Sequence, residues 1–571
     1  MHPWRIVVMT LGLVTAASAA TLQDESVVAW VRTHAIPLKT VEASNGFTDL
    51  QPLKPMIGGA RIVSLGEATH GSREIFQLKH RMVEFLATEM GFTIFAIEAN
   101  MPEAYRVNDY VVNGTGDPAQ LLRGMYFWTW DTDEVLTMIK WMRAFNQSGK
   151  GRIEFTGFDM QTPTVALDLA RQFVAENEPG YLATFAEAAT LVSRSNANAF
   201  GVATGKFPVT VAAGKQVRFS GYIKTDRVSE GFAGLWWRVD GEPGTRTLAF
   251  DNMQNRGPRG TTDWTRYVIE LPVDANARNI NFGLLMPGNG TAWFDDLTIE
   301  LDGQPYVDSS LFDLGFESRS PLGFYTGGTG YAVALDPTVA HGGTQSLRMS
   351  KDASPSVDRA GIATRWNEVV AHLETARPAY RAKGVSDRAI DWAAQNARIV
   401  LQGLQMQLNT VSRDRSMADN VEWIANHNPN AKIVIWAHNG HVRTASAGIE
   451  PMGAALRTRF SDKLFVFGSA FSAGSFQAIP MGGGPLKDFT VPPAPAGSLD
   501  ATLATTGIPA FAIDLRQAPE WFHQPHASRH IGSMYPNGEP YAFLENIVAP
   551  DAYDAILFIQ QTTAARKNPG R

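Results

Sequence analysis

The chain has 571 residues, of which 44% are hydrophobic and 19% charged, with a formal net charge of −6. That length exceeds the ~250–300 residues one hydrophobic core supports, so two or three domains are expected, and the ordinary apolar share excludes a disordered chain. The acidic balance and the lack of a Lys/Arg-rich run exclude nucleic acid as a partner, and the absence of cysteine excludes disulfides and a thiol nucleophile.

The first segment carries Arg5, an apolar stretch from Ile6 to Val14 and the small residues Thr15-Ala-Ala-Ser-Ala19. This is the pattern of a cleavable signal peptide, residues 1–19, and implies an exported or periplasmic protein. The stretch is too short to span a bilayer, which takes ~20 residues, and no later segment resembles a membrane span.

From residue 20 to 195, short apolar runs alternate with amphipathic ones. Arg61 to Gly66 and Thr93 to Ile97 read as buried strands with a helix from Glu74 to Met90 between them, which makes a βαβ unit. A third run, Ile153 to Phe158, follows a helical stretch from Glu134 to Phe145. From 196 to 355 the pattern becomes period-2 alternation with frequent turn residues, as in Val217, Phe219, Gly221 and Ile223, and predicts an all-β sandwich. Helical periodicity returns after Ile362, and Lys432 to Trp436 and Lys463 to Phe467 again read as buried strands. The expected fold class is α/β, with a central sheet flanked by helices. Its domain, residues 20–195 and 356–571, is interrupted by an inserted jelly-roll-like sandwich at 196–355.

Three strand ends carry chemistry. Gly66-Glu67-Ala68-Thr69-His70-Gly71 follows the first strand, Glu98 follows the second, and Ala437-His438-Asn439-Gly440-His441 follows another. Ligands bind α/β sheets at the carboxyl ends of their strands. A neutral imidazole is the common general base near pH 7, and a carboxylate on its other nitrogen sets the tautomer. His70 with Glu67 or Glu98 fits that division of labour, while His438 and His441 are placed to hold an oxyanion or to protonate a leaving alkoxide. Each residue alone is equally well a helix cap or a satisfied core group.

Taken together with Ile97-Glu-Ala-Asn100, Trp128-Thr-Trp-Asp-Thr-Asp-Glu134 and Gly157-Phe-Asp159, these motifs resemble the erythromycin esterase family, in order along nearly the whole chain outside the insert. The resemblance implies a hydrolase of carboxylic esters or macrolactones, with His70 as the base supported by Glu67, Glu98 and His438. It also implies a possible place in the response to macrolide antibiotics. His441, Lys79, Trp128, Trp130 and Arg415 are implied at the substrate. Lys79 stands where the family commonly has Arg, and lacks the planar fork of that residue. Arg413 and Arg415, before Met417-Ala-Asp419-Asn420, also resemble a family motif.

No cofactor is expected. Other readings stay open at this point: His70, Glu98, His438 and His441 are all acceptable zinc ligands, and Ala470-Phe-Ser472-Ala-Gly474 approximates a serine nucleophile elbow. In the insert, Thr262-Asp-Trp264, Trp293-Phe-Asp-Asp296, Asp313-Leu-Gly-Phe-Glu317 and His341 to Leu347 resemble carbohydrate-binding modules in an unusual order. Asp295 and Asp296 offer oxygens to a structural calcium ion, or else close a turn. The expected partner is a small ester or lactone, with a carbohydrate on the insert. A glycan or glycolipid ester, or a non-catalytic glycan-binding protein, are the alternatives.

Overall fold

The computed structural model describes residues 25–196, 200–241, 247–328, 330–351, 359–407, 410–446, 448, 450–481 and 486–569. The signal-peptide reading falls on residues outside this range. Among the described residues no helix is long and apolar enough to cross a membrane.

The chain divides into two compact units, one running to Ala188 and resuming over Ala363–Met481 and from Leu486 on, the other Ala189–Ile362. The first is α/β. Its early part contains strand β1 (Ile62–Leu65), helix α1 (Arg73–Met90), β2 (Ile94–Asn100), α2 (Met101–Asn113), α3 (Asp133–Gln147) and β3 (Glu154–Asp159). Its later part contains α4 (Arg413–His427), β4 (Ile433–Trp436), the single turn α5 (Asn439–Val442), β5 (Leu464–Pro480), β6 (Ala510–Asp514), β7 (His526–Arg529), β8 (Leu544–Ile547) and β9 (Ala555–Thr562).

The main sheet runs in the order β6-β9-β5-β1-β4-β2-β3, with the short strand Ile36–Pro37 beyond β6. From β5 to β3 all neighbours are parallel, and β4 sits between β1 and β2, pairing Trp436 with both Leu65 and Ile97. Every residue of β1, β2 and β4 is buried. A parallel strand covered on both faces needs such an unbroken apolar run, which explains Ile-Val-Ser-Leu and Ile-Val-Ile-Trp. Chain segments from both sides of the insertion therefore interleave in one sheet, and their carboxyl ends meet along one edge.

The second unit holds two antiparallel sheets, five- and six-stranded, built on its own core around Phe219, Trp237, Phe282 and Phe294. Asp295 is buried there and accepts the backbone N–H groups of His341 and Gly342, while Asp296 bonds the His341 ring at 2.6 Å. These two carboxylates fasten the 341–342 turn.

Candidate active site

The chain leaves β1 through Gly66, where a Cβ would lie 2.4 Å from Asn439 Oδ1 and 2.9 Å from the Phe467 carbonyl. Only glycine lets the strand end pass between β4 and β5 this closely. The next residue, Glu67, is fully buried and accepts three hydrogen bonds: His70 Nδ1 at 2.7 Å to Oε1, and Lys79 Nζ at 2.9 Å and Trp436 Nε1 at 2.7 Å to Oε2. As an acceptor facing Nδ1, this carboxylate fixes the His70 proton on that nitrogen. The other nitrogen, Nε2, has no protein partner among the described residues and is not sealed from solvent.

Lys79 reaches Glu67 from α1, also bonds the Ala437 carbonyl at 3.3 Å, and lies 4.5 Å over the Trp436 ring. Burial pulls its ammonium down to about 8 against the opposing pull of Glu67. It is only 1% exposed. The expectation that Lys79 touches substrate is therefore corrected: it lies behind Glu67 and serves as that carboxylate's counter-charge.

Glu98 sits just past the last β2–β4 pair. Its Oε1 receives Arg413 at 2.7 Å and lies 3.4 Å from His441 Nε2, while Oε2 accepts the backbone N–H of His438 at 2.9 Å. Burial alone would raise this carboxyl, but His441, Arg413 and His70 outweigh it and hold it well below the usual carboxylate range. Arg413 also grips Asp159, at 3.1 and 2.7 Å, tying the ends of β2 and β3 to the start of α4. His441 Nδ1 stands 2.9 Å from Asp414, and Glu98 and Asp414 together raise its imidazole above the ordinary histidine value despite burial. In the neutral form the same Nε2 accepts from Arg413 at 3.0 Å. The two flanking carboxylates favour the charged form, and burial and Arg413 oppose it.

His438 lies 4.9 Å, centroid to centroid, from His70. Its Nδ1 accepts the Gly440 N–H at 3.1 Å as the cap of α5, and its Nε2 donates to the Ile531 carbonyl at 3.0 Å. Burial first, then repulsion from His530, His70 and His441, push its basicity well down. Both nitrogens are thus taken by backbone groups in this structure, which leaves neither free for a substrate oxygen.

Among the remaining expectations, Trp130 is buried behind His70, edge-on at 5.9 Å, and its indole N–H bonds the Glu98 carbonyl. Trp128 is half-buried. Arg415 pairs weakly with Asp419 and Glu450, at 3.6 and 3.7 Å, on the outer face of α4. Arg413, two residues earlier, is the arginine that enters the site. Ser472 lies inside the long strand β5 instead of at a strand-to-helix elbow, and no histidine bonds it among the described residues. The same residues show no group of three or more histidine and carboxylate side chains placed to hold a metal ion. His530 was not singled out in the sequence; its ring packs edge-on against His438 at 4.5 Å.

The histidines and carboxylates thus gather at the carboxyl edge of the parallel strands of an α/β sheet. The family model described as erythromycin esterase matches residues 87–217 and 334–562, reaching into both ends of the inserted unit. The chain belongs to the erythromycin esterase family.

Erythromycin esterase type II of Escherichia coli is 33% identical over 133 residues, 23% of this chain and 31% of that protein. The putative hydrolase YbfO of Bacillus subtilis (strain 168) is 31% identical over 194 residues, 34% of this chain and 41% of that protein. The chain thus matches well under half the length of these curated relatives. The fold is shared with a Bacillus cereus protein of solved structure, with a TM-score of 0.61 and 19% identity, covering 95% of this chain and 99% of that one. It is shared also with a mutant of the erythromycin esterase EreC in its open conformation, with a TM-score of 0.51 and 14% identity over 92% and 96% of the two chains.

Proposed function

We propose that this protein is an exported hydrolase that opens a carboxylic ester or lactone with water activated by His70, without metal and without a covalent intermediate. The observation that carries the reading is the 2.7 Å contact of His70 Nδ1 with buried Glu67, which leaves an accessible Nε2 lone pair. Water attacks the acyl carbon, and its proton passes to His70 Nε2. The tetrahedral oxyanion develops near the positive charges of His441 and Arg413. Collapse breaks the bond to the alcohol oxygen, which takes the proton back from His70, and the carboxylic acid so formed loses its own proton to solvent to leave as the carboxylate. Export rests on the composition of residues 1–19.

The Escherichia coli relative is an erythromycin esterase, which makes a macrolactone the first substrate to try and macrolide inactivation the corresponding biological role. Carbohydrate binding by the inserted unit is a second reading, favoured by the Trp264, His341 and Tyr222 rings, which stand 5.6 and 3.6 Å apart in succession. The test is turnover of a 14-membered macrolide, simple lactones and acetylated sugars by the wild type and His70→Ala, with and without chelator. Loss of turnover in the variant and indifference to chelator support the reading. Full activity in His70→Ala, or abolition by chelator, overturns it.

A further inference from the structure

Strands β7 and β8 form an antiparallel hairpin. Where the connecting segment leaves these strands, His530 donates its backbone N–H to the Phe543 carbonyl at 2.8 Å, and Phe543 itself holds a φ of +57°. An aromatic residue keeps that left-handed backbone only where its surroundings over-determine it. The next residue, Ile531, donates to the Ala68 carbonyl at 2.8 Å and accepts from His438 at 3.0 Å. These bonds fasten the hairpin to the Glu67–His70 loop. A methyl group on Gly440 would lie 2.7 Å from His530 Nε2, so the glycine of the 438–441 motif makes room for this imidazole. Glu545, on β8, lies 3.5 Å from His530 Nδ1 and receives Arg443 at 2.6 Å.

Three imidazoles therefore stand in a row, His70, His438 and His530, with centroid steps of 4.9 and 4.5 Å. The middle one has no free nitrogen. The outer two share an arrangement: Nδ1 faces a carboxylate, and Nε2 has no protein partner among the described residues and is not sealed. Opposite an anionic Glu545 the proton belongs on Nδ1, so His530 Nε2 presents a lone pair. Burial, opposed by Glu545 and reinforced by Arg443, His441 and His70, holds this imidazole down to about 4. It stays an acceptor at neutral pH and, unlike a base, does not take the proton it binds. Ester oxygens carry no hydrogen to give such a lone pair, whereas a hydroxyl does.

We infer that His530 is a substrate-contacting residue whose Nε2 accepts a hydrogen bond from a hydroxyl near the scissile ester, so that the protein selects hydroxylated esters or lactones over their deoxy counterparts. This assignment rests on the hydrolase reading and sharpens it. A site built around a hydrogen bond rejects the analogue that lacks the partner, because the site's own polar group is left unpaired.

The experiment compares kcat and KM for a matched pair, a hydroxy lactone and its deoxy analogue, in the wild type, His70→Ala, His530→Ala and His530→Gln. The wild type is expected to favour the hydroxy compound by about tenfold or more in kcat/KM. His530→Ala should collapse that ratio toward one, mainly through KM of the hydroxy compound. His530→Gln, which keeps an acceptor oxygen, should restore part of it. A fall in kcat of equal size on both lactones would place His530 on the attacking water or in packing and overturn the assignment. An unchanged ratio in His530→Ala, or no preference in the wild type, also overturns it. If the wild type hydrolyses neither compound, the hydrolase reading fails and the assignment goes with it. If His70→Ala is inactive while His530→Ala keeps the preference, only the assignment fails.

Discussion

Glu67 Oε2 accepts from both Lys79 and Trp436, so Oε1 is the only oxygen left for His70, which takes it at 2.7 Å. Two donors converging on one oxygen give the carboxylate a fixed polarity that an amide cannot copy. In Glu67→Gln the amide oxygen must face Lys79 and Trp436, which turns the NH2 group toward His70 Nδ1. That forces the proton onto Nε2 and removes the base. A loss of about 10²–10⁴ in kcat is expected with the fold intact. A variant with near wild-type kcat would contradict the proposed role of His70 as the base or of Glu67 in setting its tautomer.

Arg413 and Arg415 provide a matched pair. Removing the side chain that holds Glu98, Asp159 and His441 leaves buried carboxylates uncompensated, at a cost of about 3–5 kcal/mol. Arg415 is half-exposed and its contacts are long, so Arg415→Ala should change stability by no more than about 0.5 kcal/mol. Denaturant melts of Arg413→Ala and Arg415→Ala read the difference, and equal effects would contradict this placement of the two arginines.

The three strand-end motifs were legible in the sequence because each is local: an apolar run sets the strand, and the polar residues just after it fall at the sheet edge. The choice between the arginines was also present as a pattern. Met417, Val421 and Ile424 are apolar at helical spacing and buried, and Arg413 lies one turn before Met417 on that face. Arg415 shares the opposite face with Asp419. His530 could not be found this way. No motif surrounds it, and it is brought to the site by long-range pairing, such as that of Ile531 with Thr69, more than four hundred residues apart. Lys79 failed for a different reason: its helix was correct, but whether a cation faces substrate or a buried carboxylate depends on packing that periodicity does not encode.

Glu98 links the site to acid stability. Its carboxyl is held below its unfolded value, so its contribution is present above about pH 4.5 and is lost as the pH falls toward the lowered folded value. Glu98→Gln has no such titration. The stability gap between wild type and variant should be widest near neutrality and should narrow below about pH 4. Melting temperatures from pH 3 to 7 check this, and a constant gap would mean that folding does not lower the Glu98 carboxyl.

Lys79 makes the opposite case on the alkaline side. Burial lowers it to about 8, below its unfolded value, so between about pH 8 and 10.5 the unfolded chain binds more protons than the folded one. Stability then rises with pH through that window, by up to about 1.4 kcal/mol per pH unit from this group alone. Other groups titrate there as well, so the comparison must be with Lys79→Met, which keeps the length of the chain and removes the proton. The variant leaves Glu67 with one cation fewer and should be the less stable at every pH tested. Relative to it, the wild type should gain stability between pH 8 and 10, read from denaturant unfolding at each pH. A difference that stays flat across that window would show that Lys79 keeps its charge beside Glu67. In that case Glu67 and Trp436 outweigh burial, and the ammonium remains a permanent counter-charge behind Glu67 and His70.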